Sequence, residues 1–384
     1  MNLKKALSLT MATAMAATML STAVFAEDTW KIGGIGPLTG AAAIYGTHAM
    51  WGAQIAVDEI NAAGGINGMQ VEFNAQDDEH DAEKSVNAYN TLKDWGVQAV
   101  VGCVTTNPCI AVSTEAANDN VFMLTPSASS EKVLEAGDNL FQVCFTDPAQ
   151  GTASAQYIAN NLDATKVAVI YNSADAYSAG IYATFRAEAE NQNFEIVSET
   201  SFTDDSKTDF SAQIQAAKDA GAELVFLPIY YDAAAVILKQ AADAEFAPVW
   251  FGVDGMDGIL TVEGFDTTLA EGVMLLTPFA ADATDDATVN FVTTFQEQHE
   301  DIPNQFAADG YDCVYALKAA MEAKELTADM DASAVCDAMK EAFTEIEVSG
   351  LTGVMTWTAD GKVAKTPTAV VIKDGAYVAF ENAQ

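Results

Sequence analysis

Short runs of β-branched and aromatic residues alternate with longer amphipathic segments along most of the chain. The short runs predict strands, and the longer segments, in which apolar residues recur at helical spacing, predict helices. In the first half of the chain the predicted strands are 31–36, 70–75, 99–102 and 121–124, and the predicted helices are 47–63, 82–94 and 108–118. This alternation predicts parallel sheets covered by helices.

The same alternation restarts after a predicted strand at 140–145. Further strands are predicted at 166–172, 194–200, 223–230 and 248–254, each with a helix between. Two similar α/β units in tandem predict two lobes that face each other. No low-complexity linker separates the units, so we expect strands that cross between the lobes to join them.

The end of the chain follows a different pattern. Residues 370–380 contain two apolar runs on either side of Asp374-Gly375. An Asp-Gly pair between such runs is typical of a two-residue β-hairpin.

A glycine-rich loop, GGIGPLTGAAAIYGT (33–47), follows the first predicted strand. A dinucleotide-binding loop needs G-x-G-x-x-G, but Thr39 stands at the third glycine position and Pro37 removes a backbone donor. The chain also lacks the G-K-[ST] of a phosphate-binding P-loop. The loop is therefore not predicted to bind a nucleotide.

The N-terminus has the pattern of a secretory signal. Lys4 and Lys5 precede an apolar run at 6–25, which ends in Val24-Phe25-Ala26 before Glu27. Small residues at the cleavage positions predict a signal peptide at 1–26 and a mature start near Glu27. An uncleaved anchor is the alternative, because the run has about the minimum length that spans a bilayer. No cysteine follows the run, so a lipid-anchored form is not supported.

The chain is strongly acidic, with a net charge of −38 that becomes −40 once Lys4 and Lys5 are removed. Such a charge argues against nucleic acid and anionic membranes as partners. Arg186 is the only arginine. A carboxylate ligand would therefore be held mostly by backbone N–H groups and hydroxyls rather than by a guanidinium.

Two loops that follow strands are rich in hydroxyls. In GCVTTNPC (102–109) we expect Asn107 to cap a helix with Pro108 in its first turn, which would aim the N–H groups and hydroxyls of Thr105 and Thr106 at an anion. TPSASS (125–130) offers a second such turn. Either loop alone is explained by ordinary helix capping, but together with the glycine loop they predict a cradle for a small anion.

The second unit places other groups after its strands, namely Tyr177, the pair Tyr230-Tyr231 and the carboxylate of Asp254. In open α/β sheets ligands bind beyond the carboxyl ends of the strands. We therefore expect these side chains to face the hydroxyl-rich loops across a cleft.

The five cysteines, Cys103, Cys109, Cys144, Cys313 and Cys336, form no C-x-x-C pair, so zinc and thioredoxin-like chemistry are poorly supported. Cys313 and Cys336 fall on successive predicted helices and are predicted to form a disulfide. Among the other three at most one bridge can form, for which Cys109 and Cys144 are a candidate pair. The remaining thiol would be free, or simply a small buried apolar residue.

Enzymatic chemistry is weakly represented. The three histidines, His48, His80 and His299, are far apart in sequence, and no nucleophile motif such as G-x-S-x-G is present. DDEHD (77–81) could bind a cation but lacks the spacing of a calcium loop, so a structural or cleft-rim role is preferred. No cofactor and no metal are predicted.

Several segments carry a resemblance to a known family: KIGGIGPLTGAAAIYG, GAQIAVDEINAAGGINGMQVEF, DDEHD, VVGCVTTNPC, LTPSAS and FTDPAQG. Over essentially the whole mature chain, the sequence resembles the leucine/isoleucine/valine-binding proteins, which are extracytoplasmic solute-binding proteins of ABC importers. The resemblance implies the type I periplasmic-binding fold, with two Rossmann-like lobes of parallel sheets flanked by helices and joined by three crossovers. The expected lobes are 27–146 plus 278–353 and 147–277 plus 354–384.

The resemblance also implies a ligand site. Thr106, Ser127 and Ser129 match positions that hold the α-carboxylate and receive the amino group. Asp147 and Asp254 match the acids that neutralise the ammonium, and the aromatic wall corresponds to Tyr45, Tyr177 and Tyr230.

This chain also departs from the family pattern. His80 replaces a frequent cysteine, so that family disulfide is absent. Asp254 is shorter than the frequent Glu, and Thr105-Thr106-Asn107 replaces a serine run.

The expected function is capture of an amino acid, of branched-chain type or similar, and its delivery to the membrane permease subunits of an ABC transporter. The protein is expected in the periplasm, as a monomer. The alternative is a sensing receptor for an amino acid, an amide or a small carboxylate, and an enzyme is the least favoured class.

Overall fold

A computed structural model describes residues 28–365 and 367–380. The predicted signal peptide at 1–26 lies outside the described residues. Within them, no helix combines the length and apolar character needed to cross a bilayer.

The first sheet contains five parallel strands in the order β2-β1-β3-β4-β5. They are β1 (Trp30–Gly36), β2 (Val71–Asp77), β3 (Ala99–Gly102), β4 (Phe122–Thr125) and β5 (Leu140–Gln142). Because β3 and β4 are buried along their whole length, their apolar runs are continuous rather than alternating.

The second sheet contains seven strands in the order β14-β13-β10-β9-β8-β6-β7. Five are parallel, namely β6 (Lys166–Asn172), β7 (Glu195–Phe202), β8 (Leu224–Leu227), β9 (Val249–Gly252) and β10 (Met274–Thr277). The last two, β13 (Thr368–Lys373) and β14 (Ala376–Ala379), form the predicted hairpin: they are antiparallel to each other, and β13 is antiparallel to β10. Asp374 and Gly375 both have positive φ, as a two-residue turn of this kind requires. The hairpin prediction is confirmed.

Ten α-helices of the described residues cover the sheets. They are α1 (Ala43–Ala62), α2 (Ala82–Trp95), α3 (Thr106–Asp119), α4 (Asp147–Asn161), α5 (Ala176–Ala189), α6 (Ser211–Asp219), α7 (Tyr231–Asp243), α8 (Asp286–His299), α9 (Gln305–Ala323) and α10 (Ala332–Phe343). A separate two-stranded sheet pairs β11 (Glu347–Gly350) with β12 (Gly353–Thr356).

The chain passes between the two sheets three times. It first passes from the first sheet to the second after β5, as the packing of α4 against α5 shows. It returns after β10, since α9 packs on α1 and α10 packs on β4, and it rejoins the second sheet at β13. The predicted α/β fold, with parallel sheets flanked by helices and joined by crossovers, is confirmed.

Helices α1 and α9 cross at very short range because each has a glycine at the contact. A Cβ at Gly52 would collide with the carbonyl of Ala307, and a Cβ at Gly310 would collide with the carbonyl of Ala49. The two backbones therefore touch directly, which no larger residue at either glycine would permit.

The predicted disulfides are wrong in this structure, because all five cysteines are free and buried. On α9, Cys313 points at β4 and its Sγ donates to the carbonyl of Leu124 at 3.9 Å, whereas Cys336 on α10 points at the Asn120 side chain at 3.4 Å. Cys109 lies beside Cys103 rather than Cys144. Placement on successive helices did not reveal that the side chains point away from each other.

Candidate functional site

Six loops that follow strands meet in one cleft between the sheets. The loops after β1, β3 and β4 face those after β6, β8 and β9. The pocket at their centre is lined by Tyr45, Val104, Thr105, Thr106, Ser127, Tyr177, Tyr230, Asp254, Gly255 and Phe306. Seven of the nine predicted site residues are in this set, and Ser129 and Asp147 are the two that are not.

The space inside this pocket is small, about 10 Å³, and an adjoining cavity of about 50 Å³ shares Tyr45 and Tyr230 with it. The inner space is about the size of one water molecule. The site is therefore closed, with its own side chains filling most of the cleft.

The threonine loop leads into the start of α3. The helix begins at Thr106 with Thr105 as its N-cap, so the prediction that Asn107 caps it is wrong. Pro108 sits at the third helical position, where it removes one of the N–H groups that lack a partner inside the helix. The N–H groups of Thr106 and Asn107 are both in the first turn, beside the buried Thr106 hydroxyl. This is a favourable place for an anion.

The turn after β4 is organised by Thr125. Its hydroxyl donates to the Cys103 carbonyl at 2.6 Å and accepts from the N–H groups of Ser127 and Ala128 at 3.2 and 2.8 Å. These bonds hold Ser127 at the pocket wall and Ser129 behind it, fully buried. The Ser129 hydroxyl has no hydrogen-bond partner among the described residues.

Asp254 is the acid of the pocket. Its Oδ1 accepts from the Tyr177 hydroxyl at 2.5 Å and from the Gly255 N–H at 2.8 Å. Burial raises the pKa of Asp254 to about 7, although these two hydrogen bonds lower it. Near neutral pH the Asp254 side chain is therefore present in both its protonated and its ionised form.

Asp147, at the first position of α4, lies behind Ser129. Its N–H donates to the Ser129 carbonyl at 3.0 Å, and burial raises the pKa of its carboxyl well above the usual range, with the nearby Ser129 hydroxyl opposing the shift. Neither carboxyl oxygen has a hydrogen bond of normal geometry within the described chain, and the same is true of the Gln150 amide one turn later. Asp147 therefore lies under the pocket rather than in its wall.

Four aromatic rings form the remaining wall. Tyr177 and Tyr230 stack with their centroids 4.8 Å apart and their planes at 7°. Tyr45 lies 5.6 Å from Tyr230 and 4.7 Å from Phe306. Phe306 was missed from the sequence, where the only signal was its position just after Asn304, which caps α9.

Hydrogen bonds across the cleft hold the two sides together. The Tyr45 hydroxyl donates to the Gly255 carbonyl, and the Tyr231 hydroxyl donates to the Ala41 carbonyl at 2.5 Å. The Gln305 amide donates to the Asp254 carbonyl at 3.1 Å. These bonds join the α1 and α9 side of the cleft to the loops of the second sheet.

His80 lies at the rim. Its Nδ1 is 2.9 Å from the Thr105 hydroxyl, and its ring meets Tyr230 edge-on at 5.6 Å. Burial lowers the pKa of His80, and the positive charge of Lys207 adds to this effect. Among the described residues no group of three or more His, Cys, Asp or Glu side chains is arranged to hold a metal ion.

Arg186 lies on the exposed surface of α5, where its Nε bonds to Glu199 at 3.1 Å. It is not among the residues that line the cleft. The groups of the pocket lining that could hold an anion are therefore N–H groups and hydroxyls.

Comparison with known proteins agrees with this geometry. The family model described as periplasmic binding protein matches residues 29–376, and the chain belongs to this family. Its members are substrate-binding proteins of transporters rather than an enzyme family.

Individual proteins of known name or structure are also similar to this chain. The chain is 31% identical to Leu/Ile/Val-binding protein homolog 3 of Brucella melitensis, over 99% of this chain and 100% of that protein. It is 31% identical to Leu/Ile/Val-binding protein BraC3 of Rhizobium johnstonii, over 86% and 88% of the two chains. Among solved structures it is similar to the branched-chain amino acid transporter substrate-binding protein LivJ of Streptococcus pneumoniae in complex with isoleucine. That match has 29% identity and a TM-score of 0.82, and covers 91% of this chain and 98% of the other.

Proposed function

We propose that this protein captures an amino acid, of branched-chain type or similar, between its two lobes and delivers it to the permease subunits of an ABC importer. The lobes are 27–146 plus 278–353 and 147–277 plus 354–384. The protein acts in the periplasm as a monomer, after removal of residues 1–26, and carries out no catalysis. The names of its relatives and its similarity to an isoleucine complex support this proposal.

One observation carries the proposal: a first-turn cradle and a buried acid face each other across an aromatic pocket. The cradle at Thr106 supplies N–H groups and a hydroxyl, and Asp254 supplies a carboxylate from the opposite side. An α-amino acid carries the complementary pair of charges on adjacent atoms. A purely apolar ligand would leave both sets of polar groups without partners, which is costly in a buried site.

The proposed roles follow from position in the pocket wall for Thr106, Ser127 and Asp254, and from the family resemblance for Ser129 and Asp147, which lie behind that wall. Thr106 and Ser129 hold the carboxylate, and Ser127 helps to orient the head group. Asp254 pairs with the ammonium through its Oδ2, since Oδ1 is already bonded to Tyr177 and Gly255. Asp147 adds negative potential from below, and the rings of Tyr45, Tyr177, Tyr230 and Phe306 enclose an apolar side chain.

A small carboxylate without an amino group is the second candidate. With a pKa of about 7, Asp254 can hold a proton near neutral pH and then donate a hydrogen bond to a carboxylate. A structural relative from Rhodopseudomonas palustris, at 17% identity and a TM-score of 0.80, was solved with benzoate. At that identity the likeness shows the fold alone. In either case the protein could also act as a sensing receptor rather than in transport.

The experiment is a thermal-shift screen of the twenty amino acids, their amides and small acids including benzoate, followed by calorimetry. A ligand at a hundredfold its Kd should add about 2.7 kcal/mol of stability. We expect isoleucine, leucine or valine to stabilise the protein and Asp254→Asn to abolish that effect. If benzoate stabilises the protein and the amino acids do not, the second candidate is correct. No response to any compound would contradict both.

A further inference from the structure

A second cavity, of about 200 Å³, lies beside the crossover that follows β10 and apart from the pocket described above. Its walls are mostly apolar and include Ile44, Leu260, Phe279, Pro303 and Tyr377. An engineered apolar cavity of about 150 Å³ is large enough to bind benzene. This cavity therefore has room for a ligand of about that size or slightly larger.

Three polar residues of the lining each have a buried side-chain atom without a hydrogen-bond partner among the described residues. Asp257 is 94% buried, and its Oδ1 has no hydrogen bond among the described residues, while Oδ2 accepts from the Gln305 N–H at 3.3 Å. The Nδ2 of Asn304 and the Nδ1 of His48, both in the lining, likewise have no hydrogen-bond partner within residues 28–365 and 367–380. Unpaired buried polar atoms are rare in folded proteins and call for a partner.

The charged residues of the lining favour a partner that carries a positive charge. Two acids, Asp257 and Asp301, line the cavity together with His48, and none of the lysines or the arginine in the described part of the chain does. The Nε2 of His48 already faces Asp301 at 3.3 Å. Burial raises the pKa of Asp257 to about 7, and a nearby cation would favour its ionised form.

From these features we infer that the cavity is a second binding site, which takes a small apolar primary amine. The ammonium pairs with Asp257, the apolar body fills the space between Leu260 and Phe279, and Asn304 donates to a hydroxyl or carbonyl oxygen where the amine has one. The Asp301 side chain and residue Ile302, both in the lining, are 46% and 56% exposed, so the amine has a path from solvent.

The site is built from both sides of the cleft. Ile44 and His48 belong to α1, which packs with the first sheet, whereas Asp257 and Leu260 follow β9 of the second sheet. An amine bound here contacts both sides in the closed arrangement. Binding of the amine therefore stabilises the closed arrangement, by the difference between the amine's affinities for the closed and the open arrangement.

Gln305 connects this cavity to the first pocket. Its backbone N–H bonds to Asp257, and its side-chain amide bonds to the carbonyl of Asp254. By linkage, an amine in the cavity and an amino acid in the pocket each raise the affinity of the other. This coupling rests on the proposed function, whereas amine binding itself does not.

The test is calorimetric titration of the secreted protein with benzylamine at pH 8, with benzyl alcohol as the uncharged match. We expect benzylamine to bind and benzyl alcohol to bind roughly tenfold or more weakly. Asp257→Asn keeps the shape and the acceptor for Gln305 but removes the charge, and should weaken benzylamine by a similar factor. Ala280→Leu, which reduces the volume of the cavity, should also weaken benzylamine binding while leaving Asp257 unchanged.

A variant of the first pocket separates the two sites. Asp254→Ala should bind benzylamine within about twofold of the parent protein, because the cavity does not include that residue. Absence of benzylamine binding, or binding that survives both Asp257→Asn and Ala280→Leu, would overturn the inference. So would binding lost only in Asp254→Ala, because the amine would then occupy the first pocket.

The coupling has its own readout. Benzylamine should bind more tightly with isoleucine present, and weaker binding would refute the coupling. If isoleucine does not bind at all, the proposed amino-acid function fails while the benzylamine result still decides the second site.

Discussion

The hydroxyl of Tyr177 donates to Oδ1 of Asp254 over 2.5 Å and also accepts the Gly255 N–H at 2.9 Å. Because Tyr177 lies in the first turn of α5 and Asp254 follows β9, one phenol connects two separate segments at a fixed acid site. The carboxyl group of Asp254 is thereby held in one orientation by two hydrogen bonds to Oδ1.

The first prediction concerns the roles of Asp254 and Ser129 in amino-acid binding. Asp254→Asn keeps an acceptor for Tyr177 but removes the charge, and should cost about 2 to 5 kcal/mol of isoleucine binding. Ser129→Ala should cost about 0.5 to 1.5 kcal/mol, since it removes a neutral hydroxyl. Calorimetry on both variants measures the difference. Equal losses, or unchanged binding by Asp254→Asn, would show that no ammonium is held there.

The second prediction is that the affinity for an amino acid decreases as the pH is lowered. The free Asp254 carboxyl has a pKa of about 7, and pairing with an ammonium requires the ionised form. Isoleucine affinity should therefore decrease about tenfold per pH unit between pH 6 and 5, with proton release on binding at those values. Calorimetry in buffers of different ionisation enthalpy measures the released proton. Asp254→Asn serves as the control, and a pH slope that persists in it would assign the effect to another group.

The third prediction concerns stability without ligand. Burial raises the pKa of Asp78, Asp254 and Asp257 to about 7. Between the unfolded value near 4 and these folded values, the folded state binds protons that the unfolded state does not, so stability falls as pH rises through this window. The melting temperature of the free protein should therefore be higher at pH 5 than at pH 7.5. A lower value at pH 5 would mean that these acids are ionised and paired in solution.

The fourth prediction is that closure depends on Tyr231. Its hydroxyl bonds to Ala41 across the cleft, so Tyr231→Phe should weaken isoleucine binding by about 0.5 to 1.5 kcal/mol while leaving the head-group contacts intact. Tyr171→Phe is the matched control, because that ring stacks on Tyr182 outside the pocket. Small-angle scattering should also show a more compact particle with isoleucine than without it. A radius that does not change with a confirmed ligand would refute the two-lobe mechanism.

The fifth prediction concerns a buried ion pair beside the third crossover. Lys365 bonds to Asp309 at 2.8 Å, and the two side chains are only 1% and 2% exposed. Lys365→Met leaves a buried carboxylate unpaired and should cost about 3 to 5 kcal/mol of unfolding free energy. The double variant Lys365→Met/Asp309→Leu should recover most of the loss. Denaturant unfolding tests both, and a single variant as stable as the parent would contradict the ion pair.

The alternation of strands and helices was predictable because burial on both faces gives the strands continuous apolar runs, while the helices keep one polar face. The ends of the helices were less predictable than the helices themselves. Helix α1 begins at Ala43 rather than Thr47 because Ala42, at its N-cap, offers no side-chain signal. In the threonine loop, several residues suited to capping lie side by side, and only the backbone shows that Thr105 takes this position.

The sequence pointed to pocket-lining residues where they lie within three residues of the end of a strand, as Tyr230 and Asp254 do. Phe306 was missed because it reaches the pocket from the start of α9, far along the chain, through the packing of that helix on α1. The thiol pairing failed for a related reason. Spacing puts Cys313 and Cys336 on neighbouring helices but does not tell which way each side chain points.

The glycine contact between α1 and α9 has a consequence for ligand selectivity. With Gly52 against Ala307 and Gly310 against Ala49, the two helices have no compressible side-chain layer between them and behave as one rigid part. Tyr45 and Phe306 project from the starts of those helices, so the backbone positions that carry their rings are fixed relative to each other. Selectivity on this wall can therefore be retuned only by exchanging one ring for another, as in Phe306→Leu, and not by sliding either helix.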